Sequence, residues 1–178
     1  MSAPRLNKLG GMQVEIRRAR TSDVRAIRAL VDTYTSDRRL LSKATVTLYE
    51  SVQEFWVAVD GVEDRVVGCG ALHVMWEDLA EIRTVAVDPG YRGLKIGHRL
   101  VAELLGVARE LGVARVFCLT FETRFFGSFG FAEIDGAPVP HPVYEQLLRS
   151  YDEGVAEFLD LERVKPNTLG NTRMLLKL

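Results

Sequence analysis

The sequence predicts a mixed α/β fold, one sheet of about seven strands flanked by helices. Three observations carry that expectation. Alternating apolar and polar residues at Val14–Ala19 (VEIRRA) and Ala80–Val87 (AEIRTVAV) read as half-buried strands, and they are interleaved with stretches of helical spacing. Arg115–Thr120 (RVFCLT) is nearly continuous in apolar residues, as a central strand is. Val85–Leu100 (VAVDPGYRGLKIGHRL) runs from strand through turn and glycine-bearing loop into an amphipathic helix.

Taken in order, the first strand, Val14–Ala19, leads into Thr21-Ser22-Asp23, an N-cap cluster. Val24, Ile27, Leu30, Val31 and Tyr34 then recur at helical spacing. Ser36–Lys43 (SDRRLLSK) is a polar, basic loop, and Thr45–Gln53 a second short helix. Phe55–Val59 (FWVAV) is rich in β-formers and ends at the Asp60-Gly61 turn. In the next strand, Val66–His73, Gly68 and Gly70 mark a bulge or something packed close against the backbone. A hairpin at Trp76-Glu77-Asp78 leads to Ala80–Val87, whose alternation puts Glu81, Arg83, Val85 and Val87 on one face. The helix from Gly97 carries Leu100, Val101, Leu104, Ala108 and Leu111, with Gly112 as its C′ residue. After Arg115–Thr120 come a helical turn at Phe125–Phe129 and a strand at Phe131–Ile134. The segment 136–171 is punctuated by Pro138, Pro140 and Pro142, with helical patterns at Tyr144–Tyr151 and Val155–Leu161 and a loop at Lys165-Pro166-Asn167. Thr172–Leu178 closes the chain as a strand.

Composition narrows the function. At 178 residues the chain is long enough for one domain with a real core and short for two. The expected division is a flexible tail over 1–13 and a single domain over 14–178. A net charge of −1 leaves no electrostatic footprint for nucleic acid. No apolar run is long enough to span a membrane, and the start lacks the apolar core of a secretory signal, so a cytoplasmic protein is expected. Cys69 and Cys118 each sit in an apolar run and read as buried free thiols. His73, His98 and His141 are scattered without ligand spacing, so no metal site is expected.

The strand–loop–helix stretch is where chemistry concentrates. The first N–H groups of a helix lack intrahelical partners and sit at the positive end of its dipole, which makes them an anion site. Gly93 and Gly97 permit close approach, and Arg92 adds a full charge. Together they make a cradle for a pyrophosphate.

With Arg92-Gly93-Leu94-Lys95-Ile96-Gly97 after a strand and before a helix, and with Phe129-Gly130-Phe131 downstream, the chain resembles the GNAT superfamily of acetyl-CoA-dependent N-acetyltransferases. The signature there is Arg/Gln-x-x-Gly-x-Gly/Ala, and Lys95 stands where the family has its middle glycine. A positive φ at that position would cost a lysine on the order of 1 kcal/mol. Within the family, IRRARTSDV, the RLLSK segment, AEIRTVAV and FCLTFETRFFGSFGF look like the acetyltransferase domain of bacterial N-acetylglutamate synthases, here as a short stand-alone form without the amino-acid kinase domain. The resemblance implies a mixed, mostly antiparallel seven-stranded GNAT sheet and a homodimer.

It also implies acetyl transfer from acetyl-CoA to the α-amine of an amino acid, with L-glutamate first among the substrates and no metal. Another amine, a protein lysine or a polyamine, and a non-catalytic acetyl-CoA-binding module stand as the alternatives. Glu81 is the expected general base, because an amine must lose its proton before it attacks. Its other reading is a solvated strand residue paired with Arg83. Val85, Ala86, Val87, Arg92, Gly93, Leu94, Lys95, Ile96, Gly97, His98, Phe126 and Ser128 are the expected acetyl-CoA contacts, the valines through their backbones. Phe126 occupies the place where many members carry a proton-donating tyrosine. Arg83, two residues from Glu81 and about 7 Å along the strand, Lys43 and Arg173 are candidate cations for substrate carboxylates. Thr120 completes the expected substrate contacts, and 136–171 is a candidate lid.

Overall fold

A computed structural model of the chain describes residues 7–9, 12–35, 43–168 and 170–178. The rest of the expected tail, the Ser36–Ser42 part of the basic loop and Leu169 lie outside them. Eight strands hydrogen-bond in the order β1-β2-β3-β4-β5-β6-β8-β7. They are β1 (Asn7–Leu9), β2 (Met12–Arg18), β3 (Phe55–Asp60), β4 (Arg65–Trp76), β5 (Leu79–Val87), β6 (Arg115–Thr120), β7 (Ala132–Glu133) and β8 (Thr172–Lys177). The helices are α1 (Val24–Thr35), α2 (Thr45–Glu50), α3 (Ile96–Glu110), α4 (Thr123–Gly127), α5 (His141–Leu147), α6 (Glu153–Phe158) and α7 (Lys165–Thr168). To the expected mixed sheet the structure adds β1, which pairs antiparallel with β2 inside the stretch read as a tail. Among the described residues no helix is long and apolar enough to cross a membrane.

The chain divides into two compact units, 1–72 with 82–107 and 73–81 with 108–178. In the first, β2, β3 and β4 form an antiparallel meander. The β3–β4 ladder slips between Ala58 and Val59, so the strand with the two glycines carries a bulge. It also carries a close contact. A Cβ on Gly68 would stand 3.0 Å from Ile96 Cγ2 and 3.1 Å from Leu100 Cδ1, and one on Gly70 would stand 3.1 Å from Leu104 Cδ1. The α3 helix therefore lies directly on bare backbone. Val24, Ile27, Leu30 and Val31 bury the apolar stripe of α1 with Leu48, Phe55 and Val57. The α3 helix ends at Glu110, one residue short of the expected Leu111, which is 58% exposed, and Gly112 follows at φ +81°.

In the second unit, β5 and β6 pair in parallel over Leu79–Glu81 and Arg115–Phe117, and β6 pairs antiparallel with β8 along its whole length. The insert is mostly helical. Its α5 helix starts at His141 with Pro142 in the first turn, earlier than the tyrosine spacing predicts, and it leaves Tyr151 outside, 99% exposed. The expected loop at Lys165–Asn167 is the start of α7, because proline is tolerated in a first helical turn. Phe158, Val155 and Leu159 pack with Met75, Leu79, Phe117 and Leu175, which makes α6 part of this unit's core.

Candidate active site

The strand–turn–loop–helix stretch expected to cradle an anion lies wholly in the first unit. Asp88 Oδ1 accepts from Gly90 N at 2.8 Å and starts a 3-10 turn over Pro89–Tyr91. Arg65 holds Asp88 Oδ2 at 2.7 Å and keeps that carboxyl below its usual range. The Tyr91 hydroxyl donates to buried Asp60 at 2.6 Å. These bonds fix the chain where it enters the loop. Arg92 and Gly93 are exposed, Gly93 at φ +83°. Lys95 lies at φ +56°, and its carbonyl accepts from Arg99 N at 3.1 Å, so it caps α3. Ile96, Gly97 and His98 then supply first-turn N–H groups that have no acceptor within the helix. Ile96 buries its side chain, Leu94 and Gly97 are half-buried, and His98 is exposed.

Lys95 thus takes up the left-handed backbone that its position demands, against the preference of any residue with a Cβ. Lys95→Gly is expected to raise unfolding free energy by about 1 kcal/mol, net of the extra freedom glycine gains when unfolded. Denaturant unfolding measures it, and an unchanged or lowered midpoint contradicts strain at this residue.

On the strand before the loop, Val85 and Val87 are half-buried and Ala86 is buried, in line with the expected alternation. The Val87 carbonyl accepts from the Tyr34 hydroxyl of α1. Thr84, a β-branched residue, sits at φ +57° in the middle of β5. Such a residue turns the peptide groups that follow it, and it stores on the order of 1–3 kcal/mol of strain. Its carbonyl accepts from Cys69 Sγ at 3.5 Å. Nothing in the string TVAV signals this kink.

Arg83 Nη2 donates to Glu54 Oε2 at 3.1 Å, with 13% of the arginine side chain exposed. Lys43 is half-buried just ahead of α2.

The second unit holds Glu81. Its side chain is 3% exposed, so the solvated strand residue is excluded. Its carboxylate lies against α6. A Cβ on Gly154 would fall 2.0 Å from Glu81 Oε2, 2.8 Å from its Cδ and 3.1 Å from Asp152 Oδ1. Asp152 Oδ1 accepts from Val155 N at 3.2 Å and caps the helix, while Asp152 Oδ2 stands 3.6 Å from His73 Nε2. Sequence reading missed this neighbourhood, since nothing in SYDEGVAEF reveals that its glycine faces an acid 73 residues earlier.

Arg173 is engaged by the insert. It donates to the carbonyls of Glu157 at 3.3 Å, Gly136 at 2.9 Å and Phe158. Burial draws its pKa down, and the three carbonyls give its donors partners. Thr120 Oγ1 accepts from Glu122 N at 2.8 Å and shapes the end of β6. Phe126 is 6% exposed, edge-on to Phe125 and Phe131, and Ser128 Oγ donates to Phe125 O at 2.6 Å. Burial raises both thiols, Cys69 to about 12, so neither is a thiolate at neutral pH.

The mixed sheet holds a strand that runs through a left-handed loop into a helix N-terminus, the local order expected of an acetyltransferase of the GNAT type. The model of the acetyltransferase (GNAT) family matches residues 24–131, and the chain belongs to that family. It is 63% identical over 164 residues to an amino-acid acetyltransferase of Mycobacterium tuberculosis, spanning 92% of this chain and 94% of that protein. It superposes with a TM-score of 0.88 and 63% identity on a crystal structure from M. tuberculosis in complex with CoA and NLQ, covering 92% of this chain and 98% of that one. An N-acetylglutamate synthase from Neisseria gonorrhoeae, complexed with CoA and N-acetyl-glutamate, matches with a TM-score of 0.73 at 23% identity over 93% of this chain and 35% of that one. At that identity the likeness concerns the fold.

Proposed function

We propose that the chain transfers the acetyl group of acetyl-CoA to the α-amine of an amino acid, L-glutamate first, as the opening step of arginine synthesis. The observation that carries the chemistry is the buried carboxylate of Glu81 on the strand that leads to the cradle. Support for the substrate class comes from the 63% identity to an amino-acid acetyltransferase over nearly the full length of both chains.

The cradle fits a pyrophosphate. It presents Arg92 and the first-turn N–H groups of α3, with Gly93 left-handed and exposed beside them. Bound there, acetyl-CoA supplies a thioester carbonyl for attack. Glu81 takes the proton of the substrate ammonium, directly or through water, so the amine lone pair becomes nucleophilic. The new N–C bond forms as the C–S bond breaks; CoA leaves as a thiolate, and the second proton of the attacking nitrogen passes to that thiolate or to solvent. Phe126 has no proton to give, and a thiolate needs none to leave. The backbone of Val85, downstream of the Thr84 kink, is the proposed donor to the thioester oxygen. Arg83 and Lys43 are the proposed carboxylate contacts, with Arg83 exchanging part of its bond to Glu54 for substrate.

Free-thiol release from acetyl-CoA with glutamate, glutamine, aspartate, a polyamine and a lysine peptide tests the reading. Release with an α-amino acid is the expected outcome. Release only with the polyamine or the peptide moves the chain to another amine, and none with any acceptor removes the catalytic reading.

A further inference from the structure

We propose that Gly154 is a positioning residue for the acetyl transfer, with α6 acting as a fixed stop for the Glu81 carboxylate. The inference rests on Glu81 being the base. Its evidence is the contact between the two. Glu81 Oε2 occupies the space that a Cβ at position 154 would need, 2.0 Å from where that atom would stand. Position 154 can carry no side chain while the carboxylate keeps its place.

The stop is held at both ends. At its start, Asp152 caps α6 by accepting from Val155 N at 3.2 Å, donates its own backbone N–H to Ser150 Oγ at 3.1 Å, and faces His73 Nε2 at 3.6 Å. At its end, Arg173 reaches in from β8 to the carbonyls of Glu157 and Phe158. Between the two ends, residues 154–159 are all buried. A segment anchored in this way fixes its neighbour, so α6 belongs to the catalytic apparatus and does not open as a cover. Charged and titratable groups near Glu81 include Asp152, the N-cap of α6, which faces His73 of β4, and Cys118 of β6, whose thiol Glu81 helps to keep protonated.

The test is Gly154→Ala. The atom its methyl meets is the far end of a side chain, so the carboxylate gives way before the backbone does. Misplacing a reacting group by about 1 Å costs up to 10²-fold, and a carboxylate that can swing is expected to lose on the order of 10-fold in kcat with the Kd for CoA unchanged. Glu81→Asp withdraws the carboxylate by one methylene. In that background Gly154→Ala should cost nothing further. Equal losses in the two backgrounds, or wild-type kcat in Gly154→Ala, overturn the proposal. If Gly154→Ala does not fold, His73→Gln replaces it, with a several-fold loss of kcat expected in wild type and none in Glu81→Gln. Wild-type kcat, or the same loss in both, overturns the proposal. Wild-type turnover in Glu81→Gln instead removes Glu81 as base, whatever the Gly154 variants do.

Discussion

Glu81→Gln should lower turnover by about 10²-fold or more at neutral pH and leave CoA binding nearly unchanged. The size follows from the job. An α-ammonium is mostly protonated at neutral pH, and a positioned base contributes about 10²–10⁴-fold. Glutamine keeps the length and shape that rest against Gly154, so the packing of a side chain only 3% exposed survives. What it loses is the capacity to take a proton. CoA affinity provides the control, because the proposed cradle residues Arg92–His98 belong to the other compact unit. Wild-type turnover in Glu81→Gln would take the residue out of the mechanism.

The elements that were legible in the sequence are those whose pattern is local. Strands β3, β5 and β6 and helices α1 and α3 stand within a few residues of where periodicity puts them, because burial on one face writes a period of two or of 3.6 into the chain. The Gly68/Gly70 pair announced a bulge or a close contact, and it supplies both, since Ile96, Leu100 and Leu104 sit on the bare backbone. The turn, loop and helix start of the expected cradle were legible for the same reason, as they are consecutive in sequence.

What stayed hidden depends on tertiary context. Lys95 and Thr84 hold left-handed backbones that their side chains disfavour, so the surrounding fold imposes what the residue types argue against. Gly154 meets Glu81 only after the insert folds back onto β5, a contact with no periodicity to reveal it. Arg173 reads as a candidate cation because an arginine can hold a carboxylate with two hydrogen bonds; its bonds to the carbonyls of Glu157, Gly136 and Phe158 are ones that no pattern encodes. The proline-rich insert read as a loop at Lys165, where a first-turn proline in fact begins a helix.

Phe158→Ala is expected to cost about 3–5 kcal/mol of stability. The ring is fully buried, edge-on to Phe117 at 5.3 Å, in the cluster that also holds Met75, Leu79, Val155 and Leu175. Removing it forfeits the transfer free energy of the ring, opens a cavity and ends the aromatic contact. For a chain of this length the loss corresponds to a fall of about 10 °C in Tm. Phe158→Leu, which refills most of the space, should fall by much less. Scanning calorimetry separates the two, and a shift of under about 2 °C for the alanine variant would mean the cluster collapses around the gap. Activity gives a further readout below the melting point. Phe158 is the last residue of α6 and its carbonyl accepts from Arg173, so a loosened end should carry through to Gly154. The folded alanine variant is therefore expected to lose kcat while it binds CoA as wild type does. Lost CoA affinity with intact kcat would instead put the function of this cluster in cofactor binding.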